Sequence, residues 1–536
     1  MVCLTVILLI VSFLGLGLFR TALAQSEPQA NEIEAIIELL KAKGIISAEE
    51  AATIKQRKPQ SDTVVQPQAP AEEGVAVTER RTPEEVEKKL EKKIDDVKSD
   101  SRLNRRAIDQ LEKDRLQPLG DFMRDAQWAK RISLGGDLRL RYQKDYLDEE
   151  NATLARPDQP TRLMNTTEDR ERFRARVRLD LKAKLIDPRT TNVGKVDAGF
   201  RVSTGNDDDP VSTNETLGDY FNKDAVAFDR YYLQWQFKPE LPIWNRIPQI
   251  ALTGGRMPNP WFSSDLVWDD DLNFEGIALS VVTDTLAENG WRLFLTGGAF
   301  PLQEVELSSD DKWLYAAQIG IEAEPFYGVG IKVGAAYYDF RNITGKVNDI
   351  GSPGQTDYTA PLFLQKGNTL MDIDPAPNGD DGSGVRPALA SEFKVLDLTG
   401  QLDLSFFHPV HIIFDGTYVK NLGFDEEEVS ERVGYQREAK DEGYRFGLRV
   451  GYPLIADFGE WNTSFHYRYL EADAMVDAFT DSDFHLGGTN CKGWIAGAEY
   501  GLYKNVWIRM RWLTADEIEG PPLAIDGLQL DLNARF

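Results

Sequence analysis

The sequence predicts an all-β fold: a transmembrane, antiparallel, up-and-down β-barrel of about sixteen strands, preceded by a short periplasmic helical and coiled-coil segment. Three observations predict it. First, Arg172, Arg174, Arg176, Arg178, Asp180, Lys182 and Lys184 alternate without a break with Phe173, Ala175, Val177, Leu179, Leu181, Ala183 and Leu185. Successive side chains of a strand point to opposite faces, so this segment has one ionic face and one apolar face; a helix would scatter both sets. A soluble sheet is the blander alternative, but soluble strands are usually shorter and rarely charge every solvent-facing position. Second, long and short connections alternate along the chain. Third, the last strand places Leu528, Leu530, Leu532, Ala534 and Phe536 on one parity and Gln529, Asp531, Asn533 and Arg535 on the other.

The net charge is −26, and no internal run is long and apolar enough for a spanning helix. A barrel escapes that test, because its apolar face is hidden in alternation. Val2 to Phe19 is the one continuous apolar run, and Ala22-Leu23-Ala24 follows as a small-x-small cleavage site, so residues 1–24 read as a secretory signal. The run lacks the usual leading Lys or Arg, which leaves a mis-chosen start codon or an uncleaved anchor as the alternatives. With Cys3 removed, only Cys491 remains, and no intrachain disulfide is possible.

Residues 25–58 read as a short helical pair around Gly44, with Ile33, Ile36, Ile37, Leu39 and Leu40 at helical spacing and Ser47 with Glu50 as a capping box. Residues 59–82, rich in Pro, Gln, Ala and Val, read as a flexible linker. Residues 83–117 are charged, with Leu90, Ile94, Val97, Ile108 and Leu111 at a and d positions and Ser101 and Asn104 on the same seam. A short coiled coil with a polar, register-setting centre fits that pattern, and a solvated single helix is the alternative.

The barrel is expected over residues 131–536. Period-2 segments fall near 132–143, 170–185, 194–204, 225–238, 248–256, 272–285, 290–300, 311–325, 328–341, 393–407, 409–421, 441–455, 459–472, 492–502, 504–514 and 525–536. Between them a long loop (144–169) is followed by a short turn (186–193), and the rhythm persists through the very long 342–392 and the tight His408-Pro409 and Tyr503-Lys504 turns. Outer-membrane barrels have short periplasmic turns and long outer loops. An even strand number returns both ends to the periplasm. The aromatic Phe536 ending resembles the signal by which such barrels are recognised by the barrel-assembly machinery.

The parity rule places Arg139, Arg141, Arg172, Arg174, Arg176, Arg178, Arg201, Arg230, Arg445, Arg449, Arg468, Arg509 and Arg511 inside. Closure brings the late strands beside the early ones, so these arginines share one broad wall. Guanidinium groups stay charged and sum to a strong local field.

The segments RFRARVRLDLKAK (172–184), VSTGNDDDPVSTNETLG (202–218), GGRMPNPWFSSDLVWDDDLNFEGIAL (254–279) and QLDLNARF (529–536) also resemble a porin family of Gram-negative outer membranes whose members carry an N-terminal helical segment. The resemblance covers essentially the whole barrel and, more loosely, what precedes it. It implies an outer-membrane diffusion channel, and a homotrimer would match the habit of porins. It also implies that the loop 257–271 folds into the lumen, where Asp265, Asp269, Asp270 and Asp271 face the basic wall as a constriction. A surface loop with a solvated acidic tip is the alternative.

No cofactor is expected. Asp207, Asp208 and Asp209 are weak candidates for structural Ca or Mg, which could bridge lipopolysaccharide phosphates beside the outer-membrane lipid. The four histidines form no HExxH, and GxSxG, P-loop and GxGxxG motifs are absent, so neither an enzyme nor a nucleic-acid partner is expected. A second reading is structural: the N-terminal helices would contact peptidoglycan and tether the membrane to the cell wall.

Overall fold

Side chains of alternate parity with opposite chemistry dictate strands here, and the strands close on themselves. The computed structural model describes residues 131–536 except 157–158, 188–193, 207, 239–247, 284–289, 350, 353 and 375–384. The signal, helical pair, linker and coiled coil expected within residues 1–117 lie outside the described residues, as does Asp207.

The wall strands are β1 Ile132–Leu147, β2 Arg170–Ile186, β3 Lys195–Ser203, β4 Ala227–Phe237, β5 Gln249–Pro258, β6 Asn273–Val282, β7 Arg292–Gln303 and β8 Lys312–Phe326. They continue as β9 Val329–Arg341, β10 Lys394–Phe407, β11 Val410–Asn421, β12 Glu442–Gly451, β13 Trp461–Leu470, β14 Cys491–Tyr503, β15 Val506–Glu517 and β16 Ala524–Arg535. Each pairs antiparallel with the next, and β16 pairs back to β1 from Asp137↔Arg535 to Leu147↔Ile525. This is a closed barrel of sixteen strands. A two-residue piece, Glu215–Thr216, pairs with Arg174 and Ala175 of β2 outside that circuit.

The expected segments match these strands one for one, with shifted ends. β1 runs on to Leu147 instead of stopping at 143, because Lys144 to Leu147 keep pairing with β16. β12 stops at Gly451, not 455: Gly451 has φ +132° and Pro453, two residues on, has no N–H for the ladder. Connections after odd strands are mostly long, up to 342–393, and those after even strands shrink to 327–328, 408–409 and 504–505. The rhythm is uneven, since 304–311 and 518–523 are no longer than several turns on the other rim.

Burial is inverted relative to a water-soluble protein. On β1, Leu140 is 46% exposed, whereas its neighbour Arg141 is 2% exposed. Along β1 and β2 apolar side chains face outward and charged ones inward, as a lipid-embedded wall around an ionic lumen requires. At the seam, the Phe536 N–H donates to the Gly136 carbonyl (3.0 Å), and the Gly136 N–H donates back (3.1 Å). A Cβ at Gly136 would stand 2.7 Å from the Phe536 ring and 2.4 Å from the Arg178 carbonyl oxygen, so this approach requires glycine.

The main apolar core lies inside the barrel. Trp261, Leu266, Val267 and Trp268 of the loop 259–272 pack on Phe274, Phe300, Leu314, Tyr338 and Phe340 from the inner faces of β6 to β9. Trp268 is 2% exposed and meets Tyr338 edge-on at 5.1 Å and Phe274 at 4.9 Å. Such pairs contribute about 0.5–1.5 kcal/mol beyond area burial.

Candidate functional site inside the barrel

The register sets arginines directly opposite arginines: Arg139↔Arg176 and Arg141↔Arg174 on β1–β2, Arg201↔Arg230 on β3–β4, and Arg445↔Arg468 on β12–β13. Like charges directly opposite destabilise a sheet. Interleaved carboxylates offset this. Asp137 bridges Arg176 and Arg178 at 2.8 Å each, Asp180 takes Arg201 at 2.8 Å, and Asp145 takes Arg172 at 2.6 Å. Asp531 pairs with Arg141 (2.8 Å) and Arg509 (2.7 Å). Among the described residues, four arginines of the predicted wall have no such carboxylate. Arg139 bonds Asn214, Arg174 bonds the Ser212 hydroxyl (3.3 Å), Arg230 bonds Asn273 (2.6 Å), and Arg449 makes no ion pair among the described residues.

The loop 259–272 lies in the lumen, tied by its own turn and by several side chains of the wall. The Asn259 side chain accepts from the Trp261 N–H (2.9 Å). Gln318 of β8 accepts from the Phe262 N–H (2.9 Å) and donates to its carbonyl (2.8 Å). Lys332 of β9 stands 4.4 Å over the Phe262 ring.

The four loop acids occupy four different environments. Asp265 lies between Arg468 (2.8 Å) and Arg445 (3.1 Å); burial would raise its carboxyl, but the two guanidiniums outweigh that and hold it well below the usual range. Asp271 contacts Arg178 (3.0 Å) and Arg176 (3.3 Å) and accepts from the Thr213 hydroxyl (3.0 Å). Its carboxyl is likewise lowered against burial. Asp269 meets no arginine. It accepts from the N–H groups of Asp271 (2.7 Å) and Ser482 (2.9 Å), and burial with Asp481 and Asp271 nearby pushes it well up. Asp270 is exposed to the enclosed space; desolvation, then Asp265, Asp271 and Asp481, push it up to about 6. Acids and bases here are in contact, whereas the sequence reading set them facing one another across a slot.

A second loop, 471–490, escaped the sequence reading. Asp481 pairs with Arg468 (3.0 Å), and Asp483 pairs with Arg141 (2.9 Å) and Arg511. The Asp269 N–H donates to the Phe479 carbonyl (2.9 Å), joining the two loops. Met475, Val476, Ala478 and Phe479 interleave with Asp473, Asp477, Asp481 and Asp483, and this mixture of apolar and acidic residues, shared with 257–271, was the available signal. The long loop 342–393 also joins in, with Asn368 donating to the carbonyls of Ala472 (2.6 Å) and Met475 (2.8 Å).

Two cavities lie on either side of this layer. The one toward the long-loop rim, about 550 Å³, is lined by Arg172, Arg174, Lys366 and Asp483 among others. The other, about 410 Å³, is lined by Asp265, Asp270, Arg445, Arg449, Arg509 and Arg511. The Asp483–Arg511 ion pair links their linings. Asp208 and Asp209 sit in the loop 204–226; among the described residues, which leave out Asp207, no group of three or more His, Cys, Asp or Glu could hold a metal ion.

A family model described as "Putative porin" matches residues 30–536. No curated protein sequence matches the chain. Among solved structures, the chain is similar to the high-pH structure of Pseudomonas putida OprB, at 10% identity over 77% of this chain and 96% of that one, with a TM-score of 0.45. It is also similar to the outer membrane channel DcaP of Acinetobacter baumannii (10% identity, 76% of this chain, 97% of that chain, TM-score 0.38). Salmonella typhi OmpF in complex with daunomycin aligns at 11% identity over 76% of this chain and 97% of that chain, with a TM-score of 0.39. With a closed barrel of inverted burial and a family match running from residue 30 to the last residue, the chain belongs to the porin family of the outer membrane.

Proposed function

We propose that the protein forms a water-filled channel for passive diffusion of small hydrophilic solutes and ions, constricted at the layer where the acidic loop 259–272 meets the arginine wall. One observation carries this reading. A single inward loop bridges two distant parts of the arginine wall, Asp271 at Arg176 and Arg178 of β2, Asp265 at Arg445 of β12 and Arg468 of β13. Charges of both signs in a narrow passage create a field that orients polar solutes and disfavours apolar ones, which lose nothing by staying outside. Single-channel recording of the purified protein in planar bilayers, with a series of salts and sugars, tests it. Stepwise conductance is expected, and its absence from a heat-modifiable, folded preparation would refute the proposal.

On this reading the short-turn rim is periplasmic and the N-terminal segment lies on that side, consistent with β1 starting and β16 ending at the same rim. The barrel would assemble as a homotrimer in lipid and lipopolysaccharide, with Phe536 read by the assembly machinery. Peptidoglycan pull-down with and without residues 25–120 tests the tethering role of the N-terminal segment.

A further inference from the structure

The outer cavity is lined by more arginines than carboxylates. Most arginines of the wall have a carboxylate partner, but among the described residues Arg174 does not: its only hydrogen bond there is to the neutral Ser212 hydroxyl at 3.3 Å, and its Nε is buried without an acceptor. Arg172 holds Asp145 through one terminal nitrogen, leaving its own Nε buried and unmatched. Behind them Arg139 bonds another neutral group, Asn214, whose side-chain amide in turn donates to the Ser212 hydroxyl (3.3 Å).

Each carboxylate lining the same cavity already has a partner. Asp145 takes Arg172 and the Gln143 amide (2.9 Å), Asp209 accepts from the Val211 N–H (3.1 Å), and Asp483 lies between Arg141 and Arg511. What remains is excess positive charge beside a space of about 550 Å³, with unmatched N–H groups on neighbouring guanidiniums of one strand face. A planar guanidinium fork suits the paired oxygens of a phosphate, sulfate or carboxylate, and such charge-assisted hydrogen bonds are stronger than neutral ones.

We infer that the outer cavity is an oxyanion-binding subsite, with terminal nitrogens of Arg174 and Arg172 as donors, Ser212 as a neutral support and Arg139 adding charge from behind. A solute bearing such a group would be held there before it meets the layer formed by the loops 259–272 and 471–490. That last step rests on the channel reading; the binding does not.

The test is calorimetric titration of the full, detergent-purified chain with inorganic phosphate and, in separate arms, acetate and glucose, alongside phosphate block of chloride current in bilayers. Phosphate is expected to bind and glucose not to; acetate binding extends the subsite to carboxylates, and its absence limits it to tetrahedral oxyanions. R174A should weaken binding about tenfold or more. R174Q, which keeps a donor for Ser212, should do the same, and is read instead should R174A fail to show heat-modifiable mobility. K504A, at the opposite rim, should bind as the native chain does. Heat without any ion current would overturn the channel reading and leave the subsite standing. Current without phosphate heat, or heat unchanged by both Arg174 variants, overturns the subsite.

Discussion

The two halves of the barrel interior solve opposite problems. Along β12 to β16 and β1 to β4 the inner face is crowded with arginines that face one another and are separated by carboxylates from the wall and the loops. Along β6 to β9 the inner face is aromatic and aliphatic, and the loop 259–272 is packed onto it through Trp261, Leu266, Val267 and Trp268. The apolar half anchors the loop, and the ionic half receives its acids. One segment therefore reads both walls, with tryptophans toward one and Asp265 and Asp271 toward the other.

The sharpest way to break this division is Trp268→Ala. The side chain is almost fully buried, and truncating a buried Trp costs about 3–5 kcal/mol. The expected outcome is release of the loop from its wall, seen as protease cleavage within 259–272, a lower temperature for the heat-modifiable gel shift and larger conductance. Next in size, neutralising Arg172, Arg174, Arg176 and Arg178 to Gln together should shift selectivity several-fold toward cations. An unchanged reversal potential would show that ions do not sense this strand.

Asp271→Asn should act in the opposite sense and less strongly. Arg176 and Arg178 lose their loop partner but keep Asp137, so the reversal potential should move modestly toward anions. The smallest expected effect is a pH dependence. Asp270 takes up a proton as pH falls through about 6, so anion preference should rise across that range, and Asp270→Asn should remove the step. The stability sign is fixed by the same shift: a carboxyl raised above its ordinary 3.8 disfavours the folded state above pH 6, and the penalty disappears below 3.8. Asp270→Asn should therefore raise thermal stability at neutral pH and leave it unchanged in acid.

The ionic half was legible in the sequence because arginine and leucine on alternate positions leave no doubt about parity. On these strands Arg139 and Arg141 are buried and Arg172, Arg174, Arg176 and Arg178 half-buried, while Leu138, Leu140, Phe173 and Val177 between them are exposed. The aromatic half was not legible. On β7 to β9, Phe300, Leu314 and Tyr338 point inward while Leu295, Ile319 and Val333 point outward, so both parities are apolar and the pattern no longer distinguishes lumen from lipid. That loss of alternation was itself the clue, since a strand covered on both faces reads as a continuous apolar run. The interleaving of loops was invisible for a different reason. A periodic pattern reports a strand's two faces, but nothing local reports that Asp483 meets Arg141, 342 residues away.

The pairing of β1 with β16 makes the first wall segment to be synthesised wait for the last. Arg141 and Asp531, joined across it, are separated by 390 positions, and contacts so distant in sequence form late and slowly. Until then both outermost edges stay unpaired and the leucines of each outward face have no bilayer to enter, which is the condition under which strands aggregate. Where the cylinder is sewn shut thus leaves two open margins until its final strand is in place.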